Sequence, residues 1–207
     1  MNKILEYIDE LFPNPQSELD YNTDYQLLIN VMLSAQTTDK RVNMVSSVLY
    51  KKYDTLDKLA NADIDDIKKI IFSLGSYNKK ASNLIEISKR LYNEKNGIVP
   101  NDREYLESLP GVGRKTANVV LGILYNVPCI AVDTHIERVS KRLKLTYLND
   151  DVLTVEKKLM KKFKNHPNMI KIHHQLLLFG RYHCKAINPE CKNCKIKDLC
   201  RYKKKND

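Results

Sequence analysis

Lys115 and Asp133, near the centre of the chain, have the residue types and surroundings for nucleophilic and acid–base chemistry. Lys115 lies in the first turn of a helix that we predict from Arg114 to Tyr125. The positive end of a helix, the neighbouring Arg114 and partial burial would all disfavour the ammonium form of a lysine at this position. Because a neutral amine is a nucleophile, Lys115 is predicted either to attack a substrate carbon or, as the simpler alternative, to contact a phosphate.

Asp133 follows a short apolar segment, 128–132, whose proline and β-branched residues disfavour a helix. The segment leads into a helix predicted over 136–143, where an aspartate often serves as the N-cap. Thr134 and Glu137 offer a competing capping box at the same place. A capping carboxylate is also held in a fixed direction, so an aspartate that faces a neutral lysine can act as a general base and stabilise a developing cation.

The turn that precedes Lys115 is predicted to bind an anion. Proline fixes φ at Pro110, and Gly111 and Gly113 can adopt positive φ, so the chain should turn tightly between a short helix over 102–108 and the helix that follows. Glycines leave the backbone N–H groups of a helix start accessible, and the helix dipole favours an anion there. The pattern predicts a helix–hairpin–helix that grips a DNA phosphate without reading a base. Its expected contacts are Gly111, Val112, Gly113 and Arg114.

Four of the five cysteines form a C-x6-C-x2-C-x5-C pattern near the C-terminus, at Cys184, Cys191, Cys194 and Cys200. Four cysteines within 17 residues, in a chain with no recognisable signal peptide, indicate a metal site rather than disulfides. Four thiolates suit zinc or an iron–sulfur cluster, and composition does not choose between them. The fifth cysteine, Cys129, is expected to be a buried thiol. His173 and His174 show no competing metal-ligand spacing and are expected to pack or to face solvent.

The net charge of +10 is concentrated at the C-terminal end. Residues 181–205 contain nine Lys or Arg and two Asp or Glu, whereas the rest of the chain contains 26 Lys or Arg and 23 Asp or Glu. A basic region on a nearly neutral body predicts a surface that faces a polyanion. A solvated tail explains Lys203 to Lys205 equally well, but it explains the interleaved basic residues less well. These are Lys185, Lys192, Lys195, Lys197 and Arg201.

Length and composition place the chain among ordinary globular proteins. It has 207 residues, of which 43% are hydrophobic and 29% charged, enough to bury a sizeable core. No apolar run approaches the roughly 20 residues that a membrane span requires, and the N-terminus has no secretory signal. We therefore expect a cytoplasmic, monomeric protein without a membrane segment.

The hydrophobic pattern is helical almost throughout, with no strand pair and no internal repeat, so the predicted fold class is all-α. The apolar helix 27–33, introduced by a cap at Thr23, should be central to the core. The other predicted helices cover 2–12, 38–52, 63–72, 77–95, 102–108, 114–125, 136–143, 151–164 and 168–181.

The hairpin sequence Leu-Pro-Gly-Val-Gly-Arg-Lys-Thr-Ala-Asn (109–118), followed by Val-Asp-Thr-His (132–135), resembles the endonuclease III family of helix–hairpin–helix DNA glycosylases. The resemblance extends from about residue 21 to 202 and includes the cysteine pattern. It implies a bifunctional glycosylase and abasic-site lyase that removes oxidised pyrimidines in base excision repair. Lys115 would attack the sugar C1′, form a Schiff base and nick the strand by β-elimination, with Asp133 assisting. The implied partner is double-stranded DNA that contains damaged pyrimidines or abasic sites.

The same resemblance implies two helical domains and a cofactor. Residues 21–131 would form a six-helix barrel domain that carries the hairpin, and residues 1–20 with 132–207 a helical iron–sulfur cluster domain. The cysteine pattern matches one that holds a [4Fe–4S] cluster in this family, which favours the cluster over zinc. Ligation would fold a loop too short and too charged to build its own core, and would present Lys192, Lys195 and Lys197 to the DNA backbone.

Two further DNA contacts are implied by the resemblance. Gln36 corresponds to a glutamine that enters the space left when a damaged base is flipped out, and an amide can both donate and accept toward the orphaned base. From the sequence alone, the turn around Gln36 is a helix–helix connector with Thr38 or Asp39 as N-cap. His135 is expected to face DNA by the same analogy.

Ser76 departs from the family pattern, because the family often carries a bulky apolar wedge at this position. Either Tyr77 substitutes for the wedge, or the enzyme opens DNA less firmly. Two other functions compete with this interpretation: an adenine-mismatch glycosylase, a branch that lacks the hairpin lysine, and a helix–hairpin–helix module that binds DNA without chemistry. The presence of both Lys115 and Asp133 argues against them.

Overall fold

The computed structural model describes residues 2–202, and these are helical with no strand. The predicted all-α fold is therefore confirmed. The helices are α1 (Asn2–Leu11), α2 (Asp24–Leu33), α3 (Asp39–Lys52), α4 (Leu56–Ala60), α5 (Ile64–Ile70), α6 (Tyr77–Lys95), α7 (Arg103–Ser108), α8 (Arg114–Tyr125), α9 (Thr134–Arg142), α10 (Val152–Lys162) and α11 (Met169–Leu178). One π-helical turn covers Phe179–His183, and 3₁₀ turns cover Cys191–Asn193 and Lys197–Leu199.

Two elements differ most from the predicted pattern. Helix α4 was not predicted, because its five residues are too few to show a helical period. It is defined instead by its start, where the side chain of Thr55 accepts a hydrogen bond from the backbone N–H of Lys58. The last predicted helix is α-helical only to Leu178, and a π-helical turn follows it. The chain therefore changes direction just before the first cysteine of the predicted metal loop.

The chain divides into two compact units. The continuous unit is Ser17–Asn126 and holds α2 to α8. The split unit combines Met1–Gln16 with Val127–Asp207 and holds α1, α9, α10, α11 and the shorter turns.

The continuous unit is built around α2, which is buried at every position from Gln26 to Leu33. This confirms the prediction that the apolar helix is central to the core. Its one polar residue in the middle, Asn30, is satisfied: its amide donates to the carbonyl of Asp20 at 2.8 Å, and its Oδ1 accepts from the hydroxyl of Tyr50 at 2.8 Å. Helices α6 and α8 both pack on α2, so the hairpin that precedes α8 is attached to the buried core of the unit.

The split unit closes its core with the first helix of the chain. Helix α1 presents Ile4, Tyr7 and Ile8 to a buried cluster formed by α9, α10 and α11. Three of the four C-terminal cysteines pack against the same cluster. The predicted cysteine loop is therefore fixed to a hydrophobic core. Across residues 2–202, no helix has the length and apolar character to cross a membrane.

Candidate functional site

The hairpin between α7 and α8 requires glycine at one specific position. Gly111 has φ +77°, and a Cβ atom there would lie 2.4 Å from Nδ2 of Asn83 and 3.3 Å from Cγ of Met32. Val112 is buried and its N–H donates to the carbonyl of Leu109 at 3.1 Å, which anchors the turn. The predicted helix–hairpin–helix is thus present, with a backbone that no other residue could adopt without strain.

The start of α8 is open. Gly113 occupies the N-cap position, no side chain caps the helix, and a Cβ at Gly113 would meet no atom within 4 Å. Gly113, Arg114 and Lys115 are all exposed. An uncapped helix N-terminus beside basic side chains has the electrostatic properties that an anion such as a phosphate requires.

Lys115 is solvent-exposed, so the expectation that partial burial would favour its neutral form is wrong. The residue lies on the first turn of α8. The uncapped helix start and the adjacent Arg114 are both present beside it, as expected. An exposed amine at the head of a rigid helix is accessible to a macromolecular substrate.

Asp133 is the N-cap of α9. Its Oδ1 accepts a hydrogen bond from the backbone N–H of Ile136 at 2.8 Å, and its side chain is half-buried. The competing capping box is not used, because Glu137 pairs instead with Lys141 at 2.6 Å. The helix consequently begins at Thr134, two residues earlier than predicted. One carboxylate oxygen is engaged by the cap, and this contact fixes the direction of the other.

His135 and the first cysteine are connected through one arginine. The guanidinium of Arg138 lies 3.3 Å from Nδ1 of His135 and donates to the carbonyls of Gly180 at 2.6 Å and Cys184 at 3.1 Å. Burial lowers the pKa of Arg138, with a further lowering from the nearby Arg142. His135 therefore contacts an arginine that also holds the start of the cysteine loop. A Cβ at Gly180 would lie 2.9 Å from the Cβ of His135, so the π-helical turn needs glycine here.

Gln36 lies exposed in the turn between α2 and α3, in a left-handed conformation with φ 56°. Left-handed backbone is uncommon for residues other than glycine and is found disproportionately at functional sites. The cap of α3 is Thr38, one of the two predicted candidates, whose side chain accepts from the N–H of Arg41. A plain helix–helix connector would account for the cap at Thr38, but it gives no reason for the left-handed conformation of Gln36.

The four C-terminal cysteines line one cavity of about 490 Å³. Burial raises the pKa of the Cys194 and Cys200 thiols, and the neighbouring cysteines add to the effect in both cases. Arg142 donates to Sγ of Cys184 at 3.4 Å. Within residues 2–202, no three His, Cys, Asp or Glu side chains are close enough to hold a single metal ion. Four thiols that line one cavity are a donor set that fits an iron–sulfur cluster, and four thiolates also suit zinc.

The other predicted cysteine and histidine assignments agree with the structure. Cys129 is buried, as expected for a thiol outside the metal loop. His173 and His174 are both buried, with their ring centroids 4.9 Å apart. Nδ1 of His174 lies 3.0 Å from the carbonyl of Ile170, and burial lowers the pKa of His174. Both histidines are packing residues.

The three lysines of the cysteine loop that were predicted to face DNA are exposed but differ in their ion pairing. Lys192 and Lys197 are exposed. Lys195 is also exposed, but its ammonium forms an ion pair with Glu10. An exposed ion pair is worth little and is easily exchanged, so a phosphate could replace Glu10. Lys203 to Lys205, assigned from the sequence to a solvated tail, lie outside the described residues.

Similarity to known proteins matches these features. A family model described as HhH-GPD superfamily base excision DNA repair protein matches residues 29–165. An endonuclease III of Bacillus subtilis (strain 168) is 44% identical over 203 residues, covering 98% of this chain and 92% of that protein. The chain belongs to the endonuclease III family.

Solved structures agree with this assignment. A non-covalent endonuclease III–DNA complex matches with a TM-score of 0.90 at 45% identity, covering 97% of this chain and 93% of that one. A trapped endonuclease III–DNA covalent intermediate, in an estranged-adenine complex, matches with a TM-score of 0.88 at 45% identity, covering 97% and 95%. As a member of the endonuclease III family, the chain is a DNA glycosylase of base excision repair.

Phe72 is an exposed aromatic residue of this endonuclease III family member that the sequence did not predict to be functional. Ser76, at the position of the family's apolar wedge, is exposed with φ 57°. The ring of Tyr77 is half-buried and packs on Phe72, with the centroids 4.9 Å apart. Phe72 itself is 66% exposed. Phe72 lies just after the last turn of α5, at a position where the helical pattern of the sequence assigns it no place in the core.

Proposed function

We propose that this chain is a bifunctional DNA glycosylase and abasic-site lyase, which removes oxidised pyrimidines from double-stranded DNA and then nicks the strand. The observation that carries this proposal is the exposed amine of Lys115 at the uncapped start of α8, directly after the phosphate-binding hairpin. A relative 45% identical to the chain is known from a trapped covalent intermediate with DNA, and a nucleophile on the protein accounts for such a bond.

In the first step, the neutral amine of Lys115 attacks C1′ of the flipped nucleotide. A C–N bond forms, the N-glycosidic bond breaks, and its electron pair leaves with the base, which takes up a proton. Opening of the sugar ring converts the new bond into a Schiff base, with the ring oxygen taking a proton. Loss of a proton from C2′ and departure of the 3′-phosphate complete the β-elimination. Water then hydrolyses the Schiff base and restores the lysine.

Asp133 supports this reaction in two ways. Its carboxylate accepts the proton that the lysine amine releases, and its negative charge lowers the energy of the cation that develops at C1′. The hydrogen bond from Ile136 holds the carboxylate in one orientation, so little reorganisation is needed during the reaction. The carboxylate thus caps α9 and acts in catalysis at the same time.

DNA is held through the hairpin and opened by the exposed turns of the continuous unit. The N–H groups at the uncapped start of α8, around Gly113 and Arg114, bind a phosphate without reading a base, and Gly111 and Val112 shape the turn that presents them. Gln36 enters the space of the extruded nucleotide, because its amide is exposed and can pair with either edge of the orphaned base. We assign the wedge to Phe72, whose exposed ring can insert between base pairs where Ser76 cannot. His135 contributes a further contact to DNA.

The four C-terminal cysteines would hold a [4Fe–4S] cluster. Bound there, the cluster supplies four covalent cross-links that fix the loop, in the same way that structural metal sites fold short charged segments. The loop would then present Lys192 and Lys195 to the DNA backbone, with Lys195 exchanging Glu10 for a phosphate.

Strand cleavage of defined duplexes tests the proposal. One duplex carries thymine glycol as the oxidised pyrimidine, a second carries an abasic site, and an undamaged duplex is the control. We expect release of the oxidised base and nicking of both damaged strands, with an unsaturated aldehyde on the 3′ end and a phosphate on the 5′ end. Base release that leaves an intact strand would show a glycosylase without lyase activity. Binding without base release would show a passive DNA-binding module.

A further inference from the structure

The turn that carries Gln36 is held in an unusual conformation by contacts on both of its sides. Gln36 has φ 56°, a value that costs free energy for any residue with a side chain. The local hydrogen bonds are few: the N–H of Thr37 donates to the carbonyl of Ser34 at 3.0 Å, that of Ala35 donates to the carbonyl of Met32 at 3.4 Å, and the hydroxyl of Thr37 donates to the carbonyl of Ala35 at 3.4 Å. A side chain from outside the turn supplies the remaining support.

That side chain belongs to Lys80, on the first turns of α6. Its Nζ donates to the carbonyl of Ala35 at 2.8 Å and to the hydroxyl of Thr37 at 3.0 Å. These two acceptors lie immediately before and after Gln36. Lys80 is only 6% exposed, although lysine is almost never buried unless it is paired. Burial lowers the pKa of Lys80, which reflects the cost of placing an ammonium group there.

Lys80 also connects this turn to the one before α6. Its backbone N–H donates to the carbonyl of Ser76 at 3.1 Å, and Ser76 is itself left-handed, with φ 57°. A Cβ at Gly75 would lie 4.0 Å from the carbonyl oxygen of Gln36, so the two turns are adjacent. The buried lysine therefore lies where two left-handed turns meet, and it hydrogen-bonds to the backbone of both.

We propose that Lys80 is a positioning residue for Gln36: by bonding to the carbonyl of Ala35 and the hydroxyl of Thr37, on either side of Gln36, it fixes the direction of the amide before DNA binds. This inference rests on the proposed role of Gln36 in filling the space of the extruded nucleotide. A pre-oriented side chain loses less conformational freedom on binding, so Lys80 raises the affinity for opened DNA without touching it. A lysine bound to neutral oxygens serves this purpose because its three donors can reach both acceptors at once.

The test is a double-mutant cycle on DNA binding. The variants are Lys80→Met, which keeps the length but removes the donors, Gln36→Ala, and the two combined. Lys79→Met is the matched control, since it removes the same charge from an exposed neighbour. Binding is measured to a duplex with a tetrahydrofuran abasic analogue and to the same duplex without damage. The measured quantity is the ratio of the two affinities.

We expect Lys80→Met and Gln36→Ala each to lower this ratio about tenfold, and the double variant to be no worse than Gln36→Ala alone, because both remove one interaction. Lys79→Met should weaken both affinities equally and leave the ratio unchanged. A merely structural role for Lys80 would lower thermal stability but would not depend on whether Gln36 is present.

Two results distinguish a wrong role for Gln36 from a wrong role for Lys80. If Gln36→Ala leaves the ratio unchanged, the proposed role of Gln36 is wrong. If Gln36→Ala lowers the ratio but Lys80→Met does not, or if their effects multiply in the double variant, the positioning role of Lys80 is overturned. Should Lys80→Met fail to fold, Thr37→Val removes one of the two acceptors instead, and the same cycle with Gln36→Ala decides the question.

Discussion

The Oδ1 atom of Asp133 accepts a hydrogen bond from the N–H of Ile136 at 2.8 Å, so the carboxylate proposed for catalysis is also a helix cap. The two roles can be separated by substitution. Asparagine caps helices as well as aspartate does, whereas alanine does not. We expect Asp133→Asn to keep the stability of the wild type and to lose about a hundredfold or more in the single-turnover rate on abasic DNA.

Asp133→Ala serves as the comparison for this prediction. It should show the same decrease in the single-turnover rate. In addition, loss of the cap should lower the free energy of unfolding by about 0.5–2 kcal/mol, measured by urea denaturation. A fully active Asp133→Asn enzyme would reduce Asp133 to a structural residue.

Gly111 and Gly113 provide a matched pair in the hairpin. Gly111→Ala must tolerate φ +77° and a Cβ 2.4 Å from Asn83, whereas Gly113→Ala meets no atom within 4 Å. We expect Gly111→Ala to destabilise the protein by about 1–2 kcal/mol and to weaken binding to undamaged duplex. Gly113→Ala should leave thermal unfolding nearly unchanged. Equal melting temperatures for the two variants would contradict the assigned geometry of the turn.

The cysteine loop can be tested by the colour of the purified protein. A [4Fe–4S] cluster makes the solution brown, with a broad absorption band near the violet, and Cys194→Ser should abolish the band together with the bound iron. Cys129→Ala is the control, because Cys129 is buried outside the loop and should keep the full absorption. A colourless wild-type protein that contains zinc would show that the loop holds the other metal.

Burial of His174 predicts a pH-dependent stability. Because its pKa is lowered in the folded state, the unfolded chain takes up the proton first as the pH falls. The contribution of His174 is therefore fully present above its ordinary pKa of about 6.5 and is lost as the pH falls below that value. His174→Gln should make the melting temperature less sensitive between about pH 7.5 and 5.5. Identical pH profiles for the variant and the wild type would exclude this contribution.

Local features of the fold and of the site were predictable from the sequence. The hairpin depends on Pro110, Gly111 and Gly113 within four residues, and the cap at Asp133 depends on the apolar segment before it. Such features are encoded over a few neighbouring positions, where residue type fixes backbone geometry directly. The same holds for the amphipathic α1 and the apolar α2, whose faces follow from their periodicity.

The features that were missed depend on contacts between distant parts of the chain. Lys80 and Ala35 are 45 residues apart, and nothing in the sequence around Lys80 distinguishes it from its exposed neighbour Lys79. Lys115 shows the opposite error, since its burial was expected from local context but depends on which segments pack over it. The break of the last helix into a π-helical turn likewise follows from the close approach of Gly180 to His135.

Trapping of the enzyme on abasic DNA with borohydride tests the central claim most directly, because the reagent reduces a Schiff base to a stable covalent bond. The wild type should yield a protein–DNA adduct that survives denaturation, and peptide mapping should place the sugar on Lys115. Lys115→Ala should bind the same duplex and yield no adduct, whereas the neighbouring Arg114→Ala should weaken binding and still be trapped. An adduct of undiminished yield with Lys115→Ala, or none with the wild type, would contradict the account.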